Sequence, residues 1–197
     1  MTEKKGTSSS RSEVRFTGFG GQGMVVMGYI LGRAAAVYDG KNATMTQSYG
    51  PEARGGASST QVIISDGPVF YPYVIQPDVL VGMSQEGYDK HRTNLADDGF
   101  LLIDEDLVTL APDEKAKNIY RIPATRFAEE LGRKIVANIV MLGFFSGLTG
   151  VVTEEALKKA IVDAVPKGTT ELNLKAYEKG KSHAISLTEG ARVKAKK

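Results

Sequence analysis

Short hydrophobic runs alternate along the chain with longer stretches of helical periodicity. The short runs are rich in β-branched and aliphatic residues and are mostly bounded by glycine, proline or aspartate, which is typical of strands. They lie at residues 14–17, 42–47, 61–64, 78–81, 100–103 and 118–121. The longer stretches predict helices over residues 22–38, 84–96, 124–131, 134–148 and 153–165. This alternation predicts an α/β fold, a single Rossmann-like domain with a mostly parallel sheet and crossover helices.

The two ends of the chain differ from the rest in composition. Residues 1–13 are polar and rich in serine, and residues 191–197 hold four basic side chains and no acidic one. Ends of this kind are usually solvated and mobile. We therefore predict a flexible N-terminal tail over residues 1–13, one domain over residues 14–190 and a basic C-terminal tail over residues 191–197. A length of 197 residues is ample for one buried core.

Charge and hydropathy exclude several classes of partner. The formal net charge is +2, but outside the two tails there remain 18 of the 25 basic and 21 of the 23 acidic residues. That balance is not the basic footprint of a nucleic-acid-binding protein. No apolar run reaches the roughly 18 residues that span a bilayer, and the N-terminus lacks the apolar segment of a secretory signal. We expect a cytoplasmic protein that binds neither nucleic acid nor membrane.

The chain has no cysteine, and this limits its chemistry more than any other feature of its composition. Thiolate nucleophiles, disulfides and cysteine-ligated iron–sulfur clusters are excluded. His91 and His183 are the only histidines, and His91 stands among polar residues that predict a surface position. Asp104-Glu105-Asp106 is expected to form a solvated turn rather than a metal site. We predict no catalytic and no metal-ligating residue here, so a redox centre would lie on another chain.

The first glycine-rich segment, Gly18-Phe19-Gly20-Gly21-Gln22-Gly23, lies between the first predicted strand and the first helix. Its G-x-G-x-x-G spacing permits a tight turn and lets a phosphate approach the amides at a helix N-terminus. A dinucleotide site would also need an acid at the end of the second strand. That strand ends at Thr46-Gln47, so the motif is incomplete. Two interpretations remain open, an anion-binding turn or a tight junction without a ligand.

The second glycine-rich segment follows 24 residues later as Ser48-Tyr49-Gly50-Pro51-Glu52-Ala53-Arg54-Gly55-Gly56. Arg54 could hold a phosphate or carboxylate through its planar guanidinium, and Tyr49 could stack on a ring or donate its hydroxyl. Alternatively, the segment is a rigid turn in which Glu52 and Arg54 pair with neighbours or with another subunit.

Taken together, these two segments resemble the gamma subunits of the 2-oxoacid:ferredoxin oxidoreductases. The resemblance covers roughly residues 14–180. It extends to Gly28, Ile64-Ser65-Asp66, Pro72, Pro77-Asp78, Ile122-Pro123-Ala124-Thr125, Ala128-Glu129-Glu130-Leu131-Gly132, Asn138 and Gly143. The second segment is most similar to the 2-oxoglutarate branch, because pyruvate-type chains tend to carry Gly-x-Glu-Arg-Arg-Gly at this place. Complexes that act on 2-oxoisovalerate, pyruvate or aryl 2-oxoacids such as phenylglyoxylate remain alternatives.

The resemblance implies a non-catalytic subunit of a complex that converts a 2-oxoacid and coenzyme A to an acyl-CoA and CO2. It implies alpha, beta and ferredoxin-like delta partner subunits, with thiamine diphosphate, magnesium and [4Fe-4S] clusters on those partners and ferredoxin or another electron acceptor. It further implies that this chain binds part of coenzyme A. The residues expected to do so are Gly18, Gly20, Gly21, Gln22, Gly23, Ser48, Tyr49, Gly50, Glu52, Arg54 and Gly55. A self-contained nucleotide-binding protein and a purely structural subunit are the competing interpretations.

Overall fold

A six-stranded sheet forms the centre of the computed structural model, which describes residues 11–49 and 56–194. The strands are β1 (Arg11–Phe19), β2 (Asn42–Tyr49), β3 (Ala57–Ser65), β4 (Val79–Gly82), β5 (Phe100–Asp104) and β6 (Asn118–Ile122). Each of the six predicted strands overlaps one of these.

The helices are α1 (Met24–Arg33), α2 (Gln85–His91), α3 (Ala124–Glu130), α4 (Ala137–Thr149), α5 (Glu154–Ala164) and α6 (Thr170–Lys194). A π-helical turn, Ala34–Tyr38, continues α1, and short 3-10 turns follow α2 and precede α4. The five predicted helices are confirmed. Helix α6 is an addition, because no helix was predicted after residue 165.

The strand order is β2-β3-β1-β4-β5-β6. Strands β1, β4, β5 and β6 pair in parallel, whereas β3 runs antiparallel to both of its neighbours, β1 and β2. The mostly parallel α/β sheet with crossover helices is thus confirmed. The sheet differs from a simple doubly wound sheet at one place. There the antiparallel strand β3 is inserted between β1 and β2.

Helices cover the two faces of the sheet unequally. On one face, α1, α4, α5 and α6 pack over inward side chains such as Val14, Phe16 and Val81 in a single large core. On the other face, Tyr88 of α2 packs with Leu80 in a smaller cluster. Residues 80 and 81 point to opposite faces because side chains alternate along a strand.

Two glycines allow α4 and α6 to cross at very close range. A Cβ atom at Gly143 would lie 1.9 Å from the backbone oxygen of Tyr177, and one at Gly180 would lie 1.8 Å from the backbone oxygen of Val140. The backbones of the two helices are therefore in direct contact at these glycines. This contact positions the amino-terminal ends of both helices beside the glycine-rich turn described below.

The surface position expected for His91 is only partly correct, because the residue is half-buried. Its Nδ1 atom lies 2.9 Å from Nη1 of Arg15, a β1 side chain that is only 5% exposed. Burial, followed by the charge of Arg15, lowers the pKa of His91 to about 4. The ring is therefore neutral at pH 7, and its Nδ1 can accept a hydrogen bond from the guanidinium.

The solvated turn expected at residues 104–106 holds for Glu105 and Asp106, which are exposed, but not for Asp104, which is fully buried. Its carboxylate accepts hydrogen bonds from the backbone amide and the hydroxyl of Thr125, at 2.9 and 2.6 Å. Burial raises the pKa of the Asp104 carboxyl even though these hydrogen bonds oppose the shift. Asp104 thereby joins the end of β5 to the first turn of α3.

The described boundaries lie close to the ends of the predicted domain. Strand β1 begins at Arg11, and α6 continues to Lys194. The division into tails over residues 1–13 and 191–197 and a domain over 14–190 stays a prediction. Among the helices in the described ranges, none has the length and apolar character needed to cross a bilayer.

Candidate functional site

The candidate site lies at the carboxyl ends of the parallel strands, where the direction of the crossovers changes. After β1 the chain enters α1 on one face of the sheet, and after β4 it enters α2 on the opposite face. The two neighbouring strands, β1 and β4, therefore open a crevice between their ends. In open α/β sheets such a switch point is the usual place for a ligand.

The glycine-rich turn between β1 and α1 needs glycine at two positions for conformational reasons. Gly21 and Gly23 adopt φ angles of +97° and +81°, a region that other residues enter at a steric cost. Gly23 occupies the N-cap position of α1, and no side chain accepts a hydrogen bond from the first amides of this helix. The first amides of α1 are therefore left for water or a ligand, as at any uncapped helix start.

Gln22 holds this turn in place from within. Its Oε1 atom accepts a hydrogen bond from the amide of Phe19 at 2.6 Å, and its Nε2 atom donates one to the carbonyl of Met83 at 2.8 Å. The side chain thus joins the end of β1 to the end of β4. A Cβ atom at Gly18 would lie 2.5 Å from Gln22 Oε1, which explains glycine there.

The second glycine-rich segment lies between β2 and β3 in the chain, and its described carboxyl end, Gly56, contacts the first segment. Ser48 and Tyr49 end β2 opposite Ser59 and Ser58, and Tyr49 is 62% exposed. The amide of Gly20 donates a 3.0 Å hydrogen bond to the carbonyl of Gly56, so the two segments meet. The remaining predicted site residues lie outside the described residues; they are Gly50, Glu52, Arg54 and Gly55.

Two clefts flank the glycine-rich turn. The first has a volume of about 460 Å³ and lies between the turn, the start of α4 and the connection from α5 to α6. The second, of about 310 Å³, lies between the turn, Met83 and Thr125. Gly21, Gln22 and Ile135 line both clefts, and Ile135 is 73% exposed between them.

The charged side chains lining these clefts are basic. Arg133 lines the first cleft and Lys134 the second, and the described residues contribute no carboxylate to either. Lys134 lies 3.5 Å from Glu129 in an exposed pair, which is worth little energetically. Neither cation was predicted as a site residue. Their only sequence signal is their position directly after Gly132, between two helices.

Helix orientation adds to this positive character. Helices α1, α4 and α6 all begin at the first cleft, and only α5 ends there. A helix carries partial positive charge at its amino-terminal end, so three such ends face one cleft. The arrangement favours an anionic ligand with an apolar part. The described residues contain no group of three or more histidine or carboxylate side chains that could hold a metal ion.

Comparison with known proteins places this architecture in a family. Residues 13–183 match the family model described as pyruvate ferredoxin/flavodoxin oxidoreductase. The 2-oxoglutarate synthase subunit KorC of Methanocaldococcus jannaschii is 56% identical over 90% of this chain and 96% of its own length. KorC of Methanothermobacter thermautotrophicus is 47% identical over 92% of this chain and 98% of its own length.

A solved structure gives the same result for the fold. The gamma subunit of a keto/oxoacid ferredoxin oxidoreductase from Geobacter sulfurreducens superimposes with a TM-score of 0.81 and 46% identity. The match covers 90% of this chain and 98% of that subunit. The chain therefore belongs to the pyruvate ferredoxin/flavodoxin oxidoreductase family, as the gamma subunit of a 2-oxoacid:ferredoxin oxidoreductase, and it acts as one subunit of an enzyme complex.

Proposed function

We propose that this subunit binds part of coenzyme A for a complex that oxidises 2-oxoglutarate. The complex converts the 2-oxoacid and coenzyme A to an acyl-CoA and CO2 and passes the electrons to ferredoxin or another acceptor. The names of the two KorC relatives support 2-oxoglutarate as the substrate. The complex is expected to act in the cytoplasm.

The observation that carries the proposal is the glycine-rich turn, which the hydrogen bonds of Gln22 hold in place. This turn lies between two clefts whose charged lining residues are basic. Coenzyme A is an extended anion with phosphates near its adenosine end. Gly21 and Gly23 leave the helix start open to a phosphate, while Arg133 and Lys134 stand on either side of the turn. Gly18, Gly20 and Gln22 act indirectly, by fixing the backbone that presents those amides.

The second glycine-rich segment would complete the same site from the neighbouring strands. The exposed ring of Tyr49 stands at the carboxyl end of β2, with Ser48 beside it. We propose that these residues, with Gly50, Glu52, Arg54 and Gly55, form the wall of the coenzyme A site that faces the partner subunits. The hydrogen bond from Gly20 to Gly56 ties this wall to the turn.

Partner subunits would supply the reactive centre. The proposed alpha, beta and ferredoxin-like delta subunits hold thiamine diphosphate with magnesium and the [4Fe-4S] clusters. Four thiolates are generally needed for each cluster, and this chain has no cysteine. Its contribution is therefore to bind and orient the thiol-bearing co-substrate, not to react with it.

We predict that Arg133→Ala raises the Michaelis constant for coenzyme A in the assembled complex. Loss of one charge-assisted contact to a phosphate costs about 1.5–3 kcal/mol, which is a rise of roughly tenfold or more. The Michaelis constant for 2-oxoglutarate should not change. Steady-state kinetics with each substrate varied in turn measures both values.

Arg11→Ala is the matched control for this experiment. Arg11 begins β1, at the opposite end of this strand from the glycine-rich turn, and pairs with Glu13 on the surface. Its removal should leave both Michaelis constants as they are. If Arg54→Ala and Arg133→Ala also leave the constant for coenzyme A unchanged, the subunit has only a structural role and the proposal is wrong.

We also predict that the purified subunit alone shows no oxidoreductase turnover with 2-oxoglutarate and coenzyme A, because the electron-transfer groups belong to its partners. The measurement is reduction of ferredoxin or a dye, with the complete complex as the positive control. Turnover by the isolated subunit would contradict the division of labour proposed here.

A further inference from the structure

Two buried asparagines line the larger cleft, the one of about 460 Å³ beside the glycine-rich turn. Asn138 belongs to the first turn of α4 and Asn173 to the first turn of α6. They are only 7% and 6% exposed. Buried amide groups normally satisfy both their donor and their acceptor atoms, so an amide atom that faces the cleft without a protein partner is available to a ligand.

Each asparagine uses one half of its amide group within the protein. Asn138 Oδ1 accepts from the amide of Ile139 at 2.9 Å. Asn173 Nδ2 donates to the carbonyl and the hydroxyl of Thr169, at 2.9 and 3.1 Å. Among the described residues, nothing hydrogen-bonds to Asn138 Nδ2 or to Asn173 Oδ1. The cleft therefore holds one unused donor and one unused acceptor.

Asn138 packs closely against the glycine-rich turn. Its Nδ2 atom lies 2.3 Å from the point where a Cβ atom at Gly23 would stand. The unused donor is thus held against the start of α1, next to the proposed phosphate site. Most of the other lining side chains are aliphatic, such as Val26, Ile139, Val165 and Leu172. Arg133 adds a cation.

A ligand that fits this cleft would have apolar faces and a polar edge with both a hydrogen-bond donor and an acceptor. It would also carry an anionic group at the neighbouring helix start. We propose that the cleft binds the adenine of coenzyme A, with Asn138 donating to a ring nitrogen and Asn173 accepting from the exocyclic amino group. This assignment rests on the proposed function. It adds Asn138, Asn173 and Val26 to the residues that determine affinity for the co-substrate.

Coenzyme A also contains amides in its pantetheine arm, which could in principle use the same two atoms. The thiol at the end of that arm must reach a reaction centre on a partner subunit, because this chain contains no cysteine for a cluster. The arm therefore leaves this chain. The adenine, at the other side of the phosphates, is the part of the molecule left for a cleft within it.

The test uses the assembled complex and two competitors of coenzyme A. Adenosine 3′,5′-bisphosphate carries the adenine without the arm, and 4′-phosphopantetheine carries the arm without the adenine. We expect Asn173→Ala to raise the inhibition constant of the bisphosphate about tenfold, through loss of a hydrogen bond in a buried site. The constant of 4′-phosphopantetheine should stay within twofold of its original value.

Val26→Trp provides a second variant that leaves the asparagines intact. Val26 is 41% exposed in the first turn of α1, so a larger side chain can be accommodated by the fold while it fills the cleft. It should raise the constant of the bisphosphate at least tenfold. Asn94→Ala, an exposed asparagine in the 3-10 turn after α2, is the matched control and should change neither constant.

Three outcomes would overturn the assignment. They are absence of inhibition by the bisphosphate in the original complex, a selective rise for 4′-phosphopantetheine, and unchanged constants in both cleft variants. None of these decides the proposed function, which depends on the effect of Arg133→Ala and Arg54→Ala on the Michaelis constant for coenzyme A. If the arginine variants raise the Michaelis constant for coenzyme A while the cleft variants leave the inhibition constants unchanged, the proposed coenzyme A site is correct. The adenine then lies outside this cleft.

Discussion

Gly180→Ala is expected to lower the free energy of unfolding by about 3 kcal/mol, the upper part of the usual range for overpacking a well-filled core. The new Cβ would stand 1.8 Å from the carbonyl oxygen of Val140, so α4 and α6 must move apart. The Val140 oxygen is a backbone atom, so it cannot relieve the contact by a change of rotamer as the end of a flexible side chain can. For a chain of this size the thermal midpoint should fall by about 6–12 °C. Thermal and urea unfolding of the purified subunit measure the loss.

Gly32→Ala is the control for that experiment. Gly32 also lies in a helix, α1, but the nearest atom to its added Cβ is Val62 Cγ1 at 4.0 Å. With that space free, alanine should be neutral or stabilise the helix by up to about 1 kcal/mol. If both variants lose the same stability, the loss does not come from the crossing of α4 with α6 and the prediction is wrong.

Gln22→Ala should have the largest effect on the glycine-rich turn. It removes the acceptor for the Phe19 amide and the donor for the Met83 carbonyl, at a cost of about 1–3 kcal/mol. The turn then loses its connection to β4, and the Michaelis constant for coenzyme A should rise tenfold or more. Hydrogen exchange at the Phe19 amide should also accelerate, which kinetics alone would not reveal.

Gly18→Ala offers a sharper version of the same test, because its Cβ would meet Gln22 Oε1 at 2.5 Å. Part of its cost should disappear when Gln22 is already alanine, so the two substitutions should not be additive. Gln76→Ala removes an exposed glutamine and serves as the control. Fully additive effects would mean that Gln22 does not hold the turn.

The strands and the glycine-rich turn could be predicted because their signals are local. Short aliphatic runs bounded by turn residues identified every strand, and the spacing of Gly18, Gly20 and Gly23 identified the turn after β1. The order of the strands could not be found in this way. The pattern of β3 is the same whether it pairs in parallel or antiparallel, and only its insertion between β1 and β2 brings the two glycine-rich segments together.

Helix α6 was not predicted, for a reason visible in its buried face. Residues Asn173, Ala176, Tyr177, Gly180 and Ala184 are buried at helical spacing, yet none of them is a large aliphatic side chain. Hydropathy patterns respond to large aliphatic side chains, whereas this helix is held by close backbone contact. Without α6 the cleft has no second wall, so the role of Asn173 could not be inferred.

The polar contacts of Arg15 and Asp104 were missed because their partners are distant in sequence. Arg15 and His91 are 76 positions apart, and Asp104 and Thr125 are 21 apart. In the sequence, His91 lies between polar neighbours and Asp104 lies in an acidic turn, so both resemble surface residues. Only the folded chain places Arg15 beside His91 and Thr125 beside Asp104. The same applies to Arg133, whose nearness to the glycine-rich turn depends on α3 and α4 packing beside α1.

The antiparallel β3 has a consequence for how this family can diverge. Strands β2 and β3 are adjacent and antiparallel, so Tyr49 at the end of β2 lies opposite Ser58 near the start of β3. Insertions and substitutions at a hairpin end leave the registers of both strands and the packing of every helix unchanged. The connection between β2 and β3 can therefore change in sequence without disturbing the sheet, whereas the turn at Gly18–Gly23 is constrained by its own geometry.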